Sequence, residues 1–532
     1  MSNSAHSAQR EMQMRLTLMV ERGAQTNARG VVTEFSSRSH TWAQFAERVA
    51  RLAGGLQDLG AKAGDRVAIL ALNSDRYLEF LFAVPWAGAV FMPINTRLAP
   101  PEIAYWLNDS GAEVLFVDDT FVPMLGALQG QLETVGSVVY LGDGAAPEGL
   151  QHYEGLIEGR AVIDDAGRTG DDLAGLYYTG GTTGVSKGVM MTHTNMVMNA
   201  LNFTPVGQFD YWSKFLHAAP MFHMADGAGA FAMAIVGGGH CFIPGFEPVA
   251  SLAAIEEFRP THSVLVPTMV NMMINHPDVN KYDITSLRRV IYGAAPMPTP
   301  VIVRALEVMP GISFVHGYGQ TEAAPFISAL DPRHLEGPDI PEGRRNSIGH
   351  AGGAVEVRVL DERDVEVPAN TVGEICTRGP HVMPGYWKQP ELSAETLRNG
   401  WLHTGDSGYM DEDGFLYIVD RIKDMIISGG ENVYSAEVES AVHKHDAVVE
   451  CAVIGIPNDK WGEQVHAIVR LTEPGAVEAG DLIAFCHDLI ANYKCPRSID
   501  FTETPLPLSG AGKVLKTELR KPYWVGHEKG VN

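Results

Sequence analysis

The sequence predicts an α/β protein. The expected architecture is a large N-terminal domain of two stacked α/β subdomains plus a small β subdomain, followed by a small α+β C-terminal domain. Three observations predict it. Strand-length apolar runs alternate with stretches of helical apolar spacing from Thr41 to Val266, the pattern of a parallel sheet covered by helices. From about Ala354 the texture changes to short β runs with turn residues between them. Beyond Asp420 a further set of strands and helices reaches domain size by itself. The length of 532 residues agrees, since ~100–200 residues per domain gives three or four compact units.

In chain order, residues 1–30 read as a short polar helix and a linker. Thr41 starts a helix through Leu59, with Phe45, Val49, Leu52, Ala53 and Leu56 at helical spacing. Gly64-Asp65 turns into a strand from Arg66 to Leu72; helix 75–87, strand 90–94, helix 101–107 and strand 114–117 follow. The alternation resumes with helix 194–202, strand 215–218, helix 227–235, strand 240–243, helix 249–258 and strand 262–266. Val355 to Leu360, Gly373 to Thr377 and Phe415 to Val419 supply the small β subdomain. Asp420-Arg421-Ile422-Lys423-Asp424 is the expected interdomain linker, dividing 1–420 from 421–532. Beyond it, 435–443 and 481–489 read as helices, 448–456 and 465–471 as strands.

The formal net charge is −24, from 40 basic and 64 acidic residues, which argues against a nucleic-acid or anionic-membrane surface. An anionic substrate would then need a local cluster of Lys and Arg. The five cysteines are scattered and never in C-x-x-C spacing, so neither a disulfide framework nor a zinc site is expected. No apolar stretch has the length of a membrane span and none near the N-terminus that of a signal-peptide core; a cytoplasmic, soluble protein is expected. Oligomeric state is not legible, and a homodimer is kept as one expectation.

Tyr177-Tyr178-Thr179-Gly180-Gly181-Thr182-Thr183-Gly184-Val185-Ser186-Lys187-Gly188 follows the apolar run that begins at Leu173. It reads as a strand feeding a tight loop. Glycines let backbone N–H groups converge, threonine hydroxyls add donors and lysine adds a mobile charge, so the loop suits polyphosphate. It is not the G-x-x-x-x-G-K-[ST] P-loop, since Val185 follows Gly184 and Gly188 follows Lys187. The stretch resembles the phosphate loop of the adenylate-forming enzymes: acyl-CoA and aryl-CoA ligases, peptide-synthetase adenylation domains and luciferases. Gly180 stands where Ser or Thr is usual there, which removes one hydroxyl contact. Ser186 stands where Pro is usual, which loosens the loop. By this resemblance Thr179, Gly180, Gly181, Thr182, Thr183, Gly184 and Lys187 bind ATP.

The resemblance extends, in the family's motif order, from about Thr41 to Leu519. His316-Gly317-Tyr318-Gly319-Gln320-Thr321-Glu322 follows an apolar run, and open α/β sheets bind ligands at strand C-termini. Tyr318 offers a flat face to a purine, Thr321 a donor to phosphate, and Glu322 a hard carboxylate for Mg²⁺. Tyr318 to Glu322 matches the family's adenine-stacking motif, and Tyr292-Gly293-Ala294-Ala295-Pro296 its other adenine wall; Mg²⁺ would sit on Glu322 and Thr182. Trp401-Leu402-His403-Thr404-Gly405-Asp406 resembles the ribose-binding T-G-D, although such a tripeptide alone is usually just a turn. Arg421, fifteen residues on, falls at the family's phosphate-contacting position, Lys423 at its hinge and Ile418 beside the nucleotide.

Ser428-Gly429-Gly430-Glu431-Asn432-Val433-Tyr434-Ser435 resembles the loop that lines the pantetheine tunnel for CoA, with Ser435 for the usual Pro. Lys513, in Ser509-Gly510-Ala511-Gly512-Lys513, matches the lysine that enters the site for adenylation. His223, in Pro220-Met221-Phe222-His223-Met224, matches a histidine that gates the acyl pocket; a lone histidine beside Phe and Met is equally a capping or core residue. Met224, Ala228, Phe231, Ala232, Met269, Met272 and Met273 would line an apolar acid pocket, with Gly317 and Ala323 also at the substrate. The resemblance implies an ATP-, Mg²⁺- and CoA-dependent acid ligase with a mobile C-terminal lid. Its acid is expected to be a medium- or long-chain fatty, branched or aromatic one, within fatty acid metabolism. The rival readings are a ligase loading a carrier protein, an oxidative luciferase, and a non-catalytic acid- or nucleotide-sensing relative.

Overall fold

The structure is a computed structural model that describes residues 14–179, 186–293, 297, 299–336, 340–428, 431–458, 460–508 and 514–525. The chain forms two compact units. One comprises Met1–Arg345, Ala351–Glu356 and Arg378–Leu402; the other comprises Asn346–His350, Val357–Thr377 and His403–Asn532.

In the first unit the alternating runs build a sheet in the spatial order Gln151–His152, Ser137–Tyr140, Ala112–Val117, Arg66–Leu70, Val90–Pro93, Leu173–Thr179, Lys187–Thr192. All its neighbours are parallel except the last pair. Continuous apolar strands such as Val67–Leu70 suit a sheet covered on both faces. A second sheet runs Phe326–Leu330, Ser313–Gly319, Arg289–Tyr292, His262–Val264, Lys214–His217, Gly239–Phe242, Val31–Phe35, Arg38–Thr41. Its last two strands are a hairpin in a stretch the sequence reading left unassigned, between the linker ending at residue 30 and the helix starting at Thr41. Val31–Phe35 pairs in parallel with Gly239–Phe242, some 200 residues away, a contact that no local pattern announces.

Helices between the sheets join them through one core. Every residue of the helix Asp75–Trp86 is buried, and Ser74 caps it by accepting from Tyr77 N–H. Its Phe82 meets Phe231 of the helix Met224–Val236 edge-on at 5.6 Å. Such rings stabilise by about 1.5–3 kcal/mol each on burial. Thr41 and Gln44 close a capping box on the helix Trp42–Asp58, at the start the sequence reading placed at Thr41.

In the second unit Gly373–Arg378, Leu402–Met410 and Leu416–Arg421 are consecutive neighbours in one sheet. A further sheet pairs Glu431–Val433, Ile426–Ser428, Gly462–Leu471 and Val448–Asn458, with Ser498–Phe501 parallel to Gly462–Leu471. Val438 and Val442 from the helix Ser435–Val442 and Leu482 and Cys486 from Ala479–His487 pack on Val453, Val465 and Ala467. No helix among the described residues is long and apolar enough to cross a membrane.

Candidate active site

Thr179 ends the strand Leu173–Thr179, and its register partner is Lys187 on the returning strand Lys187–Thr192. The sequence reading expected a helix next after the loop. Instead Val189 and Met191 alternate inward, and the strands flanking the glycine-rich stretch form an antiparallel pair. Gly180, Gly181, Thr182, Thr183 and Gly184 lie outside the described residues. The strand's outer edge is covered by residues 385–387: Met190 N–H donates to Gly385 O at 3.1 Å and Trp387 N–H to Gly188 O at 2.7 Å.

That edge brings Tyr386 between two predicted site residues. Its hydroxyl donates to Glu322 Oε1 at 2.9 Å, and Lys187 Nζ lies 5.3 Å from its ring centroid, within cation–π range. Burial and the neighbouring Glu322 charge push the phenol well above its ordinary pKa, so it stays a donor. Glu322 also accepts Met383 N–H on its backbone carbonyl at 2.9 Å. Tyr386 escaped the sequence reading because nothing in Pro384-Gly385-Tyr386-Trp387 announces a partner 64 residues back. Its one signal was an aromatic pair after glycine in an otherwise turn-rich stretch.

Thr321, Glu322 and Ala323 form a short turn after the strand Ser313–Gly319, with Ala323 buried and Gln320 preceding the turn. The two predicted adenine walls meet here. Arg289–Tyr292 and Ser313–Gly319 are parallel neighbours with Tyr292 opposite His316, and the two rings stack at 4.7 Å. Two glycines are required by close approach. A Cβ on Gly293 would stand 2.5 Å from Gly317 O, and one on Gly319 1.6 Å from Pro325 O. Tyr318 is buried and pairs with Ser328 across the antiparallel neighbour. Ala294, Ala295 and Pro296 lie outside the described residues.

His223 caps the helix Met224–Val236, Nδ1 accepting Ala225 N–H at 3.2 Å. Met224 and Ala228 on that helix are buried, and Met269 is partly buried. Met272 is a correction: it is 53% exposed, because Val270 and Met273 take the inward face of the helix Pro267–Ile274. The loop before His223 is strapped by buried Asn73, which the sequence reading did not single out. Its amide donates to His217 O at 3.2 Å and Ala219 O at 2.8 Å and accepts from Met221 N–H at 2.8 Å. Behind the loop His217 Nδ1 and Asp226 Oδ2 are 2.5 Å apart, fully buried.

In the second unit Thr404-Gly405-Asp406 is no turn but part of the strand Leu402–Met410. Asp406 is the register partner of Arg421, and Nε of Arg421 lies 2.9 Å from Asp406 Oδ1. The fifteen-residue spacing is thus the span of a hairpin. Asp406 is buried, while the Arg421 side chain is more than a third exposed. Glu374 sits behind them: Oε1 accepts Gly405 N–H at 2.9 Å and Oε2 lies 2.8 Å from His403 Nδ1. Cys376 Sγ is 3.3 Å from the same His403 nitrogen. These are hydrogen-bond contacts that stiffen the strand carrying Asp406.

Lys423 lies in a short turn after Arg421, and partial desolvation with the Arg421 charge holds its ammonium below the ordinary range. Ile418, opposite Gly408, is 39% exposed, and Ser428 ends the strand Ile426–Ser428. Gly429, Gly430 and Lys513 lie outside the described residues.

A family model described as AMP-binding enzyme matches residues 20–387, and a second, AMP-binding enzyme C-terminal domain, matches 437–513. The chain belongs to the AMP-binding enzyme family. It is 40% identical over 488 residues to a feruloyl-CoA synthase of Amycolatopsis sp, covering 91% of this chain and 94% of that one. Among solved structures it resembles the anthranilate CoA ligase AuaEII in complex with anthranoyl-AMP, with a TM-score of 0.87, 28% identity, and 96% and 98% of the two chains covered. ATP-bound MatB from Rhodopseudomonas palustris gives a TM-score of 0.86 at 29% identity, covering 96% and 99%.

Proposed function

We propose that the chain is an AMP-forming acid–CoA ligase working in two half-reactions. The acid's carboxylate oxygen attacks the α-phosphate of ATP, the bond to pyrophosphate breaks, and acyl-AMP forms. The thiolate of CoA then attacks the acyl carbon, AMP leaves, and the thioester remains. The observation that carries this reading is the gathering of Glu322 and Lys187 on Tyr386, at strand ends of a chain in the AMP-binding family.

The first step transfers little covalent work to the protein; positioning and charge neutralisation dominate. Lys187 and the loop N–H groups meet the pyrophosphate side. Tyr318 stacks on adenine, and Asp406 accepts from the ribose hydroxyls while Arg421 faces phosphate. Glu322 and Thr182 would hold Mg²⁺; the carboxylate and hydroxyl are hard oxygen donors that fit it, and the ion would offset phosphate charge. Tyr386 orients Glu322 by donating to one of its oxygens. Lys513 enters to bridge the carboxylate and α-phosphate. The small domain then swivels about Lys423, withdrawing Lys513 and presenting Gly429 and Gly430 to CoA.

The acid is apolar or aromatic. Support comes from the buried Met224, Ala228 and Phe231, and from the aromatic acids named for the feruloyl-CoA synthase and the anthranilate ligase. His223 would gate this pocket from its position at the helix start. The five cysteines are free and buried, in keeping with a reducing compartment such as the cytoplasm. A panel of aromatic, fatty and branched acids, with ATP and Mg²⁺, tests the reading. An aromatic acid should give acyl-AMP without CoA, and acyl-CoA plus AMP once CoA is added. Adenylate that passes only to a carrier protein, or no pyrophosphate from any acid, would refute it.

A further inference from the structure

Asn73 lies just past the strand Arg66–Leu70 of the first sheet, and its backbone is pinned in place. Leu72 N–H donates to Asp118 Oδ2 at 2.7 Å, Asn73 N–H donates to Pro244 O at 3.1 Å, and Ser74 caps the fully buried helix Asp75–Trp86. Pro244 in turn lies just past the strand Gly239–Phe242 of the second sheet, so residue 73 joins the carboxyl ends of strands in both sheets. Open α/β sheets bind their ligands at such ends.

From this fixed point the side chain clasps the segment 217–221. Asn73 is 3% exposed, and its amide gives one hydrogen bond to His217 O, another to Ala219 O, and takes one from Met221 N–H. A primary amide presents donors at one end and an acceptor at the other, which two carbonyls and one N–H require in this order. The far end of the segment is held independently. His217 Nδ1 meets Asp226 Oδ2 at 2.5 Å, Asp226 N–H donates to His223 O at 3.1 Å, and Ala225 N–H donates to His223 Nδ1 at 3.2 Å.

Loss of the Asn73 contacts would therefore release the backbone leading to His223 while the helix Met224–Val236 keeps its own start. Two residues of extended chain span at most about 7 Å, so a fixed Met221 N–H confines His223 to that radius. The clasp thus governs where the histidine and the first turn carrying Met224 stand.

We propose that Asn73 is a positioning residue for the acid substrate: by clasping 217–221 it sets the approach of the His223 segment to the acid pocket. This rests on the reading of His223 and Met224 as pocket residues. The effect of Asn73 falls on the binding of acid and spares that of ATP. A merely structural amide predicts something else, a smaller active fraction that lowers kcat and leaves both KM values alone.

The test follows pyrophosphate release by full-length variants without CoA, titrating ATP and, separately, the aromatic, fatty or branched acid that wild type adenylates fastest. Asn73→Asp keeps the shape and the oxygen facing Met221 N–H but turns a second oxygen towards the two carbonyls. At about pH 8 it should raise the KM for acid about tenfold or more and leave the KM for ATP within about twofold. Burial and the facing carbonyls favour the protonated carboxyl, which donates one hydrogen bond. The KM for acid should thus return towards the wild-type value as the pH drops to about 6, a change that wild type does not share. Asn73→Ser should raise the KM for acid about threefold at either pH, and it carries the test should Asn73→Asp not fold. Acid and ATP KM values raised alike, neither raised, or an Asn73→Asp defect that does not ease on acidification overturns the assignment. If wild type releases pyrophosphate with none of the acids, the acid-ligase reading fails and takes the assignment with it. If wild type is active and the Asn73 variants keep its KM for acid, the assignment alone fails.

Discussion

Glu322 and Asp406 are both predicted nucleotide-site carboxylates, but the fold holds them in opposite ways. Glu322 sits on a short turn and owes its orientation to Tyr386, a residue 64 positions away that arrives along the free edge of Lys187–Thr192. Asp406 sits inside a strand and meets Arg421 across a hairpin, so β register alone sets the pair. A carboxylate placed by register carries its partner in its own sequence neighbourhood. One placed by an edge contact depends on how the whole unit folds, and its partner can be found only in three dimensions.

Substitutions can break or sharpen this contrast. The largest effect is expected at Glu322→Gln, which keeps the shape and removes the charge. Acyl-AMP formation should fall about 10³-fold while the melting temperature hardly moves, as followed by pyrophosphate release and calorimetry. Asp406→Asn should raise the KM for ATP by about tenfold to a hundredfold. It should also destabilise the second unit, because Arg421 loses its ion pair across the strands. Tyr386→Phe should slow adenylation about tenfold with the KM for acid unchanged, the loss of one hydrogen bond to a charged group. An effect on thioester formation from supplied acyl-AMP would show that Tyr386 does more than orient Glu322.

A last effect concerns pH, where two pairs of buried groups, one in each unit, differ in sign. In the first, burial lowers His193 and His262 to about 4 from 6.5. Between these values the unfolded chain binds more protons, so stability is lost as pH falls from 6.5 towards 4, by about 2 kcal/mol per histidine at pH 5. In the second unit burial raises Asp420 and Glu439, which protonate more readily folded than unfolded. Their contribution is present at low pH and lost as pH rises through the raised values. Limited proteolysis against pH, reading fragments from each unit, should show the first opening earlier on acidification. Equal acid sensitivity in the two units would contradict this account of their buried groups.

The same contrast explains what was legible beforehand. Alternating runs such as Arg66–Leu70 and Val90–Pro93 exposed the parallel sheets, because each strand is a continuous apolar stretch between helices. The spacing of Asp406 and Arg421 was picked out by the family resemblance, and the hairpin is what turns that spacing into contact. The N-terminal hairpin Val31–Phe35 and Arg38–Thr41 was missed, since its pairing partner is remote. Tyr386, Asn73 and Glu374 were missed for a related reason. Each acts by receiving or giving hydrogen bonds to distant backbone or side chains, and a residue of that kind carries no periodicity. Met272 was misjudged because a methionine-rich stretch shows which residues are apolar, not which side of the helix faces in.

Central to the account is that one cleft performs two chemistries with different residues, Lys513 serving only the first. Lys513→Ala assayed in separated half-reactions tests this most directly. The account predicts acyl-AMP formation reduced to near background while supplied acyl-AMP is still converted to thioester at close to the normal rate. Equal loss in both steps, or an unimpaired first step, would contradict it.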